Sequence, residues 1–180
     1  MVRRALALSL VSALVLGFGA CGAKGEGSGG EAAASAGEGG AKAAAPAGAS
    51  AFLTPYITIQ ETLADDSVDH LAELGAQVVG GAEALQDKPG VGDLLAGAGR
   101  IAAQDIETAR VAFEKMSMGV IAYLKATPAD RDGYEVVHCP MAFNNKGAYW
   151  VQKIGEITNP YHGKMMLRCG DKVEWEKAPG

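Results

Sequence analysis

Between residues 51 and 126 the apolar positions recur at intervals of three and four, the period of a helix with one buried face. Leu53, Ile57 and the stretch Gln60 to Leu63 open the series, and Asp65, Asp66 and Ser67 interrupt it with residues that cap helices. A second series runs through Val68, Leu71, Leu74, Val78, Val79, Ala82 and Leu85, with Gly75, Gly80 and Gly81 as weak points, and stops at Asp87, Lys88, Pro89 and Gly90. Asp93 opens a third segment through Leu94, Leu95, Ile101 and Ala102. Asp105 starts a fourth, the most regular: Ile106, Ala109, Phe113, Met116, Val120, Ile121 and Leu124 form a stripe, while Glu107, Arg110, Glu114, Lys115 and Lys125 lie mostly off it. Thr127 and Pro128 end it. The pattern predicts a mainly α fold, a small up-and-down bundle of about four helices packed closely through alanine-rich faces.

Beyond Pro128 the period shortens. Tyr134, Val136 and Val137 alternate with polar neighbours, and residues 130–175 are expected to form an irregular C-terminal segment with short strands or turns. Before residue 51 there is no amphipathic period. Met1 to Ala20 carries Arg3 and Arg4, runs apolar from Ala5 to Leu16 and closes on small residues, the layout of an export signal. Gly19 and Ala20 before Cys21 resemble a bacterial lipobox, in which the cysteine is acylated and becomes the mature N-terminus. Phe18 stands where that pattern has an aliphatic residue, and secretory cleavage with an unmodified Cys21 is the alternative. Residues 21–50 are almost entirely Gly, Ala, Ser and Glu, too poor in apolar surface to offset the entropy of ordering them. They read as a disordered tether that holds a domain roughly 30 Å from its anchor. The chain thus divides into a signal peptide (1–20), a tether (21–50) and a folded domain (51–180).

Charge and composition exclude some functions. The formal net charge is -5, which argues against a nucleic-acid partner held by bulk positive charge. Three cysteines are too few for a disulfide-dense scaffold, and they lack the paired Cys-x-x-Cys spacing of a structural zinc finger. In the helical region His70 is isolated, Met116 lies on the core stripe, and Asp65 with Asp66 has no base or nucleophile at a recognisable spacing. The chain is therefore not expected to be an enzyme.

The chemistry concentrates in two C-terminal arms, His138 to Trp150 and Asn159 to Gly170. Together they hold two of the three cysteines, three of the six methionines and two of the three histidines. In an extended segment Cys139 and Met141 share a face, and on a helical turn Met166 and Cys169 do the same. Asn159, Pro160 and Gly163 would fold the second arm back towards the first, under an apolar shelter of Phe143, Tyr149 and Trp150. Thiolate and thioether donors are soft and select Cu(I), or its mimic Ag(I). The candidate metal ligands are Cys139, Met141, Met166 and Cys169, with His138, His162 and Met165 in reserve. A disulfide between Cys139 and Cys169 competes with this reading, since exported proteins meet an oxidising compartment. Zinc held by both cysteines with His138 and His162 is another competitor, and a nucleophilic Cys139 paired with a histidine is a third.

The runs Cys139 to Trp150, Asn159 to Gly163 and Met166 to Gly170 resemble the signature of an uncharacterised bacterial envelope domain. It occurs in small exported lipoproteins and at the C-terminus of some copper/silver efflux adaptor (membrane-fusion) proteins. The resemblance extends back through Tyr56, Leu63, Asp65, Asp66 and Ser67, and through Ala109, Arg110, Phe113 and Ser117. It implies a helical domain of metal-handling envelope proteins, with Cys139, Met141, Met166 and Cys169 at its sulfur positions; at His162 such sequences often have Tyr or Phe. The function expected is that of a periplasmic-side, lipid-anchored Cu(I)/Ag(I)-binding protein of the cell envelope, serving metal tolerance or efflux with efflux components as partners. The alternative is a disulfide-stapled interaction module of such an assembly that binds no metal.

Overall fold

The structure, a computed structural model, describes residues 48–180. The segment read as a signal peptide, Cys21 and nearly all of the stretch read as a tether lie outside the described residues. Helices α1 (Ser50–Ala64), α2 (Leu71–Ala82), α3 (Val91–Ala98) and α4 (Ile106–Ala126) follow one another, and a 3-10 turn (Glu83–Leu85) extends α2. After them come β1 (Tyr134–Cys139), the one-turn segment α5 (Ala142–Asn145), β2 (Ala148–Lys153), a 3-10 turn (Gly163–Met166) and β3 (Asp171–Val173). The domain is therefore helix-rich with short strands towards its C-terminus, as the apolar period implies. The segment expected to be irregular is more ordered than that: its strands form an antiparallel sheet in the order β2-β1-β3.

Local chemistry sets the helix ends. The Asp105 carboxylate accepts the Thr108 backbone N–H at 2.8 Å and so caps α4, whose last turn gives way to Thr127 and Pro128. The third helix begins two residues before Asp93 and ends at Ala98, so Ile101 fills the core from the loop that follows. Glycines read as weak points turn out to be contacts. Gly81 of α2 lies against the Ala51 carbonyl and Phe52 nitrogen of α1, and Gly75 lies against Ile101 and the Ala98 carbonyl. Gly97 and Gly119 play the same part between α3 and α4, where backbone meets backbone.

The α4 stripe is buried as its spacing predicts: Ala109, Phe113, Met116, Val120, Ile121 and Leu124 are all inside. The sheet packs through β2 on α4 and α1. An aromatic series joins the layers, with Tyr56 stacked on Phe113 (centroids 5.1 Å apart), Phe113 against Tyr161 (6.0 Å), and Tyr161 edge-on to Trp150 (5.8 Å). The Tyr56 hydroxyl shares a hydrogen bond with the Ser117 hydroxyl at 2.8 Å and accepts the Val151 N–H at 3.1 Å. One α1 side chain thus reaches both α4 and β2.

Candidate functional site: a thiol pair between two strands

Antiparallel pairing of β1 with β3 places His138 opposite Asp171. Continued by one step, the register sets Cys139 beside Gly170 and brings Cys169 diagonally across from it. The two sulfurs, 30 residues apart in the chain, are 3.6 Å apart. Gly170 makes the approach feasible: its φ is +152°, and a side chain there would meet Val137 Cγ1 at 2.9 Å and the Trp150 ring at 3.0 Å.

The arm that carries Cys169 is organised by Asn159, which is fully buried. Its Oδ1 accepts the N–H groups of Tyr161 (2.8 Å) and His162 (3.2 Å), while its Nδ2 donates to the Cys169 carbonyl at 2.7 Å. The Asn159 N–H donates to the Leu167 carbonyl at 2.8 Å, and the Cys169 N–H donates to the Met166 carbonyl at 2.9 Å. Gln60 of α1 donates to the Thr158 carbonyl at 2.7 Å and to its hydroxyl at 2.9 Å.

Arg110 completes the attachment, and here the sequence reading is corrected. Expected on the polar face of α4, its side chain is only 7% exposed. It donates from Nε to the Pro160 carbonyl at 2.8 Å and from Nη2 to Asp66 at 2.7 Å and the Leu63 carbonyl at 3.4 Å. Glu107 accepts from Nη1 at 3.1 Å. Asp66 also accepts the Lys164 N–H at 2.9 Å, and that bond, with Arg110 beside it, holds its carboxyl below the usual aspartate range. Asp66 is therefore more than a helix junction: it clamps the second arm to α1 and α4.

The structure brings the two thiols together and disposes the other candidates variously. β1 ends at Cys139, so Met141 lies in a turn, not in an extended segment, and is 46% exposed. Met166 is half-buried on the same turn as Cys169, and Met165 is 82% exposed. His138 stacks on Tyr149 with centroids 4.2 Å apart and, as a strand neighbour of Cys139, points to the opposite sheet face. His162 lines a cavity of about 290 Å³ with Glu107, Arg110, Phe143, Asn144, Tyr161 and Met165, and its buried Nε2 lacks a hydrogen-bond partner. Among the described residues no three His, Cys, Asp or Glu side chains converge as a metal group, so the zinc set of two cysteines and two histidines is not assembled.

The chemical capacity of the pair follows from its spacing. A disulfide requires about 2.05 Å between sulfurs. Two thiolates on one tetrahedral ion at about 2.3 Å each would be roughly 3.8 Å apart. The observed 3.6 Å is a non-bonded contact between two free thiols, within reach of a weak S–H···S hydrogen bond, and lies close enough for either outcome. Burial pushes the Cys169 thiol up, and Cys139 and Asp171 beside it push the same way. The Cys169 thiol is thus held towards its neutral form.

Sequence reasoning missed Arg110, Gln60 and the left-handed run Phe143, Asn144 and Asn145 (φ +51°, +58° and +66°) that turns the chain from β1 to β2. Asn144–Asn145 before Gly147 was the available signal for that turn. Comparison of the chain with protein-family models, with curated proteins and with solved structures finds no match.

Proposed function

We propose that the domain is a binding module for a soft monovalent metal, Cu(I) or Ag(I), carried as cargo in the bacterial cell envelope. In this reading Cys21 anchors the chain by lipid on the periplasmic side, and efflux components exchange metal with it. Cys139 and Cys169 supply the anionic donors, Met166 and Met141 supply thioethers, and Met165, His138 and His162 are reserves. The observation that carries the reading is the 3.6 Å approach of two free thiols on separate arms, which puts two soft donors within reach of one ion. Thiolates and thioethers favour soft metals over calcium or magnesium. A disulfide-stapled interaction module without metal is the second reading, favoured by the same proximity.

Anaerobic titration of the reduced protein with Cu(I) against a chromophoric chelator tests the proposal. One equivalent should bind, and Cys139→Ser with Cys169→Ser should abolish uptake; unchanged affinity in that double variant removes the site. Because burial raises the Cys169 thiol, binding must displace its proton, and apparent affinity should rise with pH by at least about tenfold per unit below that pKa. An affinity flat between about pH 6 and 8 would contradict binding through the Cys169 thiolate.

A further inference from the structure

The two thiols are not equivalent. Cys139 is fully buried at the end of β1, whereas Cys169 is partly exposed in the turn that leads into β3. Cys169 is thus the more accessible residue of the two, yet the two sulfurs are 3.6 Å apart. We propose that the pair is a site of ordered thiol–disulfide exchange with small aliphatic disulfides, in which Cys169 attacks the external disulfide and Cys139 resolves the product.

Each step balances. The Cys169 thiolate attacks one sulfur of R–S–S–R; the Cys169–S–S–R bond forms, the oxidant's S–S bond breaks, and R–S⁻ leaves. The Cys139 thiolate then attacks the Cys169 sulfur, forms the Cys139–Cys169 bond and expels the second R–S⁻. The two cysteines are oxidised by two electrons, the external disulfide is reduced to two thiols, and those thiols take up the protons the cysteines release.

The fold favours this order. The mixed disulfide forms on the exposed arm, where R can remain in solvent, and its sulfur stays beside Cys139. Closing the internal bond shortens the gap from 3.6 Å by about 1.5 Å. The arm that moves is a turn held at the Cys169 backbone by the Met166 carbonyl and Asn159, whereas Cys139 sits in a strand paired on both sides. The order depends on unequal burial and proximity, not on metal binding, so it stands or falls separately from the metal reading.

The test uses the full chain, reduced and freed of metal by a chelator, with oxidised glutathione as the probe. Adducts are quenched over time, and peptide mapping separates Cys21 from the other two cysteines. Cys139→Ser should accumulate one glutathione adduct on Cys169. Cys169→Ser should modify Cys139 at least about tenfold more slowly, and wild type should pass to the internal disulfide, its earliest adduct on Cys169. Equal rates in the two variants, or a first wild-type adduct on Cys139, overturns the proposal. The wild-type measurement decides the matter even if serine at the buried position perturbs folding, and metal uptake does not enter the readout.

Discussion

Arg110 is where a single side chain holds the most structure together, since it joins α4 to the end of α1 and to the turn carrying Pro160. Arg110→Ala leaves two buried carbonyls without this donor and Asp66 without its cation. It should destabilise the domain by about 3 kcal/mol, the low end for a broken buried pair because water reaches Asp66. Urea unfolding measures this, and a loss below about 1 kcal/mol would mean that water replaces the guanidinium. Asp66 gives the pH counterpart. Its folded pKa is depressed, so its contribution is complete above the unfolded value of about 3.9 and is lost as pH falls through the lower folded value. Wild type should lose stability below about pH 4 more steeply than Asp66→Asn, which has no charge to lose there. Parallel acid profiles would show that the carboxylate's partners bind its neutral form equally well.

At the scale of elements, the helices illustrate what periodicity reveals and what it conceals. The α4 stripe and the breaks at Asp65–Ser67, Pro89–Gly90 and Thr127–Pro128 were legible because burial and capping are local properties. The role of Gly81 was not, since propensity scores a glycine against its own helix, whereas here the neighbouring helix occupies the space a side chain would need. The adjacent pair separates the effects. Gly80 has nothing within contact distance, so Gly80→Ala should stabilise α2 by about 0.5–1 kcal/mol. Gly81→Ala pushes a methyl into the α1 backbone and should destabilise by about 1–3 kcal/mol. Thermal melts of both variants check the sign reversal; two shifts of the same sign would refute close packing of α1 on α2 at this point. Arg110 was concealed for a related reason: helical period places it beside the stripe, but the carbonyls it serves come from distant segments.

For the molecule as a whole, residue types marked the sulfur arms as chemically unusual, but their meeting depends on strand order, which no local pattern encodes. β3 pairs with β1 across a long connection, and only that register sets Cys169 diagonal to Cys139. The arms' apolar and polar words, among them Asn159, Tyr161 and Gly170, prove to fix the backbone around the thiols, with Asn159 bonded to Cys169 and Gly170 pressed on Trp150. This arrangement determines what oxidation does to stability. Bridging residues 139 and 169 closes a loop of 30 residues, which in the chain-entropy model removes about 3–4 kcal/mol of unfolded-state freedom. If the turn before β3 yields the needed 1.5 Å, on the order of a side-chain adjustment, most of that gain survives. The oxidised protein should then unfold at roughly 2 M higher urea than the reduced one, while the Cys139→Ser, Cys169→Ser double variant should ignore reductant. A bridged form no more stable than the dithiol would mean that bridging strains the fold by as much as it constrains the unfolded chain, so that 3.6 Å is the spacing the fold maintains. The comparison of the two urea profiles therefore bears directly on whether the fold is adapted to two separate thiols or to a bridge.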